Sequence, residues 1–143
     1  MTCDCSSICC GARIESALPD TVAGIVDPFM AKWLRLVPSW CHILRLRYDS
    51  ELKDTATIIG KPEYRDAVLT FGPQIADALG DDDVERVVVH ELLHLHQEQS
   101  RDVFLEALEF IPEGPFRETF RTRYHYANEG AVCDLTRCFT GWL

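Results

Sequence analysis

Apolar residues recur along this chain with two periods, and the switch between them divides it into elements. Asp27-Pro28 pairs a capping carboxylate with proline at a first helical position, and Phe29, Trp33, Leu34 and Val37 then repeat at three- and four-residue intervals. That spacing predicts a helix ending before Pro38, with Lys32 and Arg35 on its solvated face. From Trp40 the period drops to two. His42, Leu44, Leu46 and Tyr48 alternate with Cys41, Ile43, Arg45 and Arg47, which predicts a half-buried strand with arginines outward and His42 near the core. Thr55 to Ile59 and Asp66 to Gly72 are two further strand segments, closed by Gly60-Lys61-Pro62 and Gly72-Pro73. Three such segments in succession suggest an antiparallel meander.

Helical periodicity then returns. Residues 74 to 79 are expected to form a short helix, and Gly80 with Asp81, Asp82 and Asp83 breaks the chain, supplies an N-cap and places negative charge in the first turn of a new helix. This central helix is expected over about 82 to 100, with Val84, Val88, Leu92 and Leu95 as its buried stripe. Another helix occupies 101 to 111. Pro112-Glu113-Gly114 breaks it, and Pro115 opens a last long one through Phe116, Phe120, Tyr124, Ala127, Ala131, Leu135 and Phe139. The order predicts an α+β domain: a three-stranded sheet, antiparallel or mixed, packed on a central helix with C-terminal helices.

The central helix carries His90-Glu91-Leu92-Leu93-His94. Residues four apart stand one above the other on a helix, so His90 and His94 can offer two imidazoles to one metal ion. Glu91 lies about 100° round the helix, placed to reach a metal-bound water as general base rather than to ligate. Three valines precede the motif and leucines surround it, so two histidines and a glutamate in this apolar setting would be costly without a partner. The spacing is that of zinc hydrolases. His96 lies roughly 240° from His90 and is read as structural, whereas Gln97, one turn after His94, falls on the metal face.

A catalytic zinc keeps three protein ligands and one open position. The first candidate for the third ligand is Glu129, on the long last helix, with His125 one turn before it and Cys133 one turn after as alternatives. Asp134 lies off that face and suits a carboxylate behind a zinc histidine. His125, then Tyr126, are candidates for donating to the oxyanion of a tetrahedral intermediate.

Composition adds limits. The chain has 143 residues, room for one core, and a formal net charge of -9 that opposes nucleic-acid or anionic-membrane partners. No apolar run reaches membrane-spanning length. Cys3, Cys5, Cys9 and Cys10 crowd a start without signal-peptide character, which points to reduced thiols and a cytoplasmic protein. Their spacing suits a loose tail over residues 1–19 better than a second zinc site, leaving 20–143 as the domain.

The pairing of Val89-His90-Glu91-Leu92-Leu93-His94-Leu95 with Asn128-Glu129-Gly130-Ala131-Val132 resembles the gluzincins, thermolysin-like zinc metallopeptidases, and more closely the small single-domain metallopeptidases of phage and bacterial genomes. The resemblance implies a zincin-like fold, zinc held by His90, His94 and Glu129, and Glu91 as the base in hydrolysis of a peptide or protein substrate. It also implies an edge strand along the cleft, for which Val68-Leu69-Thr70-Phe71 is the candidate. Where thermolysin-like enzymes carry an aspartate four residues after the ligand glutamate, this chain has Cys133, with Asp134 one later. The competing expectation is a zinc-stabilised peptide- or protein-binding module without turnover, its fourth position closed by His125 or Cys133.

Overall fold

The computed structural model describes residues 11–77 and 80–141. The Cys3, Cys5, Cys9 and Cys10 cluster lies outside them. The element order is β1 (Arg13–Ser16), α1 (Asp20–Trp33), a 3-10 turn (Leu34–Leu36), β2 (Ile43–Tyr48), β3 (Ala56–Lys61), a second 3-10 turn (Pro62–Tyr64), β4 (Asp66–Phe71), α2 (Gln74–Asp77), α3 (Asp81–His94), a third 3-10 turn (Leu95–Gln97), α4 (Glu98–Leu108) and α5 (Pro115–Thr140). The α+β class is as read from the pattern. The sheet, however, has four strands in the order β1-β2-β4-β3.

That order corrects two expectations. β1 lies in the stretch read as a tail: four residues from Arg13 to Ser16 pair in parallel with Ile43 to Leu46. The sheet is also not a meander. β2 and β4 pair in parallel, and β3 pairs antiparallel with β4 from outside. Periodicity gives strand length and burial but carries no information on direction, so the parallel β2–β4 contact is invisible to it. β4 is therefore interior, and Val68 to Phe71 is not an edge. β1 and β3 form the edges.

Alternation along β2 and β4 buries Leu44, Leu46, Ala67, Leu69 and Phe71 on one face of the sheet. That face joins α1 and α3 in one core with Val22, Val26, Met30, Trp33, Val84, Val88, Val89, Leu92, Leu93 and Leu95. His42 lies just outside β2 and is exposed, whereas its neighbour Cys41 is buried. α1 begins at Asp20, seven residues before the Asp27-Pro28 signal, because Val22, Val26, Met30 and Trp33 supply a buried stripe across that signal. Pro28 sits inside the helix, where it removes the N–H that would bond the Gly24 carbonyl. Lys32 is not idle on the solvated face. Its Nζ and the Trp33 Nε1 both donate to Glu85 Oε1, at 2.6 and 2.7 Å, tying α1 to α3.

α3 is shorter than expected. It ends at His94, and the third 3-10 turn redirects the chain into α4. His96 in that turn donates from Nε2 to the Leu36 carbonyl at 2.6 Å, the structural role expected of it. α5 runs back past α3 as a 26-residue helix, yet its buried residues are only Val132 and Thr136. The α4–α5 arm accordingly carries most of the large apolar side chains left in solvent, including Val103, Phe110, Phe116 and Phe120.

Candidate metal centre

His90 and His94 reach the surface of α3 at its last turns, where the helix leaves the core and α5 passes alongside. Their Nε2 atoms lie 3.0 Å apart. Glu129 of α5 closes the group: its Oε2 is 3.5 Å from His90 Nε2 and its Oε1 is 3.3 Å from His94 Nε2. Tetrahedral coordination with bonds of about 2.0–2.2 Å separates ligand atoms by roughly 3.3–3.6 Å. The two contacts of Glu129 use different carboxylate oxygens, and one donor atom from each residue lies within 4.8 Å of the other two, a donor triangle that a single metal ion can bridge. Among the described residues, His90, His94 and Glu129 are the group of metal-ligating type, and all three line one cleft.

Electrostatics suit ligation. Burial, outweighing the attraction of Glu129, holds both histidines below the usual imidazole value, with His90 and His125 adding to the effect at His94. Neutral imidazole is the form that binds a metal. Two neutral rings whose Nε2 atoms meet at 3.0 Å can share only one proton between them, and a cation satisfies both lone pairs at once.

Glu91 points to the other wall of the same cleft, where β3 runs. Its carboxylate accepts the backbone N–H of Ile58, while burial first, then Glu129 and Asp54, push its pKa up to about 8. A nearby divalent cation would oppose that rise, since its positive charge favours the carboxylate. Thr55, Ala56, Thr57, Ile58 and Ile59 form the β3 wall, and α3, α4 and α5 form the rest of a cleft of about 1240 Å³. The strand beside the motif helix is thus β3, not β4.

Comparison of the chain with protein-family models, with curated proteins and with solved structures finds no match.

The remaining sequence candidates separate cleanly. His125 and Cys133 line the cleft one turn either side of Glu129, but neither joins the donor triangle. Tyr126 is 71% exposed and is not part of the cleft wall. It lies about 120° round α5 from Val132, the residue that marks the buried side of that helix. Asp134 is also turned out: its side chain is 77% exposed and pairs with Arg137 at 3.3 Å, so it does not stand behind a zinc histidine. Gln97 touches no ligand. Its Nε2 donates to the Asn128 carbonyl at 3.5 Å, bracing α5 one residue before Glu129.

Sequence reasoning missed Glu98. Its side chain is buried in the cleft wall, accepts the Gly60 backbone N–H and pairs with Arg101 at 3.3 Å. The signal was available, since Glu98 stands one turn after His94. Glu91 and Glu98 together take the N–H groups of Ile58 and Gly60, alternate residues on the strand edge that faces the helices. The two carboxylates clamp β3 to the helical layer.

Proposed function

We propose that this protein is a zinc-dependent metallopeptidase with a zincin-like arrangement, in which His90, His94 and Glu129 hold the metal and Glu91 is the general base. The observation that carries the reading is the donor triangle with Glu91 beside it, in a cleft flanked by an edge strand. Zinc held there would polarise a scissile carbonyl and acidify a water. Glu91, as the carboxylate that a bound divalent cation favours, takes the proton of the attacking water and delivers it to the leaving amine. β3 is an edge strand of the cleft wall, and the outward main-chain groups that neither β4 nor Glu91 takes are offered to an extended substrate laid across the base. His125, in the cleft one turn before Glu129, is assigned to donate to the developing oxyanion.

A non-catalytic zinc-binding module needs a closed site. The placement of His90, His94, Glu129 and Glu91 in the lining of one cleft favours turnover instead. The deciding experiment loads wild type and Glu91→Gln with zinc, measures metal by elemental analysis, and exposes both to a mixed peptide library. Wild type is expected to cleave, and Glu91→Gln to retain one zinc while losing at least ~100-fold in rate, the usual weight of a general base. If both bind one zinc equally and neither cleaves any peptide, the peptidase reading fails and the binding module replaces it.

A further inference from the structure

Resting on the peptidase reading, we propose that the cleft selects extended peptide segments bearing acidic side chains, gripped by Arg101 and Arg121 at one end and by Arg137 at the other. Arg121 and Arg137 carry the grip, while Arg101 is shared with Glu98 and only adds positive charge beside Arg121. The first observation is the ridge that α5 turns into the cleft. Arg121, His125, Glu129, Cys133 and Arg137 succeed one another at four-residue steps and all line it. The metal-site glutamate is the centre of that ridge, with an arginine two turns away on each side. Eight helical residues span about 12 Å, roughly the length of three to four residues of extended peptide. An acidic side chain about three residues from the scissile bond therefore reaches an arginine while the bond itself lies at the metal.

The second observation is the floor at the Arg121 end. Arg101, Phe104 and Leu105 of α4, and Arg121, Tyr124 and His125 of α5, are same-face triplets on facing helices, and all six line the cleft. Phe104 and Tyr124 stack with centroids 4.0 Å apart and planes 6° from parallel. This aromatic pair shares the cleft lining with Arg101 and Arg121, so it can take the methylenes of a glutamate whose carboxylate meets Arg121.

Charge complementarity decides the occupant. The chain has 14 Lys and Arg against 23 Asp and Glu, yet the described cleft wall is lined by four arginines and four acids. Three of those acids are already committed: Glu129 faces the two histidines, Glu91 takes the Ile58 N–H, and Glu98 takes the Gly60 N–H and Arg101. Arg121 and Arg137 face only i,i+3 partners on α5, Glu118 and Asp134, that are 64% and 77% exposed. Such surface pairs are weak and readily exchanged for a substrate carboxylate.

The test uses zinc-loaded Glu91→Gln, which removes turnover, and fluorescein-labelled ten-residue Gly/Ser/Ala peptides carrying a Glu-Glu, Gln-Gln or Lys-Lys pair. Fluorescence anisotropy is expected to show the Glu-Glu peptide binding about tenfold tighter than Gln-Gln, with the advantage shrinking as NaCl rises. Arg121→Gln should remove most of that advantage, and Arg121→Glu should invert it in favour of Lys-Lys. Arg137→Glu is the second variant, with zinc content and circular dichroism as folding controls. Equal affinity for Glu-Glu and Gln-Gln, absence of binding by all three, or reversal variants that leave the preference unchanged would overturn the proposal. Acid-selective binding with no cleavage by wild type would sink the peptidase reading alone, whereas cleavage without charge preference would sink the arginine grip alone.

Discussion

Glu98 shows how a single residue can serve a site without chemistry of its own. Burial, reinforced by Asp102 and opposed by Arg101 and the Gly60 N–H, raises its pKa above the ordinary carboxylate value. The folded state therefore holds the Glu98 proton more tightly than the unfolded chain does. Its stabilising contribution is fully present below the ordinary carboxylate pKa and is lost as pH rises through the raised folded value. Glu98→Gln keeps an acceptor for Gly60 but cannot ionise. The stability of that variant relative to wild type, from urea unfolding at a series of pH values, should increase from pH 4 towards neutrality. A difference independent of pH would mean that Glu98 titrates normally. The grouping of His90, His94 and Glu129 was legible because its parts are local: the two histidines are one helical turn apart, and Glu129 stands on the one long helix left to pass them. Tyr126 and Asp134 were misplaced because facing on α5 depends on which side is buried, and its apolar and charged residues are mixed nearly all round the helix.

At the scale of elements, helix and strand positions followed from periodicity, but pairing did not. β1 is four residues with one half-buried side chain, Ile14, among exposed neighbours, too short for alternation to register. The β2–β4 contact joins residues more than twenty apart, which local pattern cannot encode. Gly60, read as a turn signal, lies within β3 for a different reason. A Cβ there would meet Glu98 Cγ and Trp40 Cη2 at 2.8 Å each, and Leu95 Cδ2 at 3.1 Å. The bare backbone lets the strand press against the 3-10 turn that ends α3. Gly60→Ala should cost about 1–3 kcal/mol by overpacking. Gly24→Ala and Gly130→Ala, at helical positions with nothing within 4 Å of the added carbon, should instead stabilise by about 0.5–1 kcal/mol. Chemical denaturation of the three variants checks the signs, and a neutral Gly60→Ala would refute the close-packing account of β3.

For the molecule as a whole, the metal centre joins two parts that are held unequally. β2, β4, α1 and α3 share a continuous core, whereas α5 contributes Val132 and Thr136 to burial over 26 residues. Two of the three proposed ligands belong to the well-packed part and one, Glu129, to the lightly packed helix. Ligand binding to the folded state alone stabilises by an amount set by metal concentration over dissociation constant, about 2.7 kcal/mol at a hundredfold excess. Where that energy acts is set by the asymmetry: the core keeps its packing without metal, while α5 loses a cross-link it cannot replace with buried area. Stripping metal with a chelator should therefore raise hydrogen exchange along α5 far more than along α3 or β4, and adding zinc should restore protection together with a higher Tm. Glu129→Gln should behave like the stripped protein, since a neutral amide is a poor ligand for a divalent ion. Uniform loss of protection across all elements would mean that the metal holds the entire fold. Unchanged exchange in α5 would mean that Val132, Thr136 and the Gln97 brace at Asn128 suffice to hold the helix, and that Glu129 meets the two histidines without a metal between them.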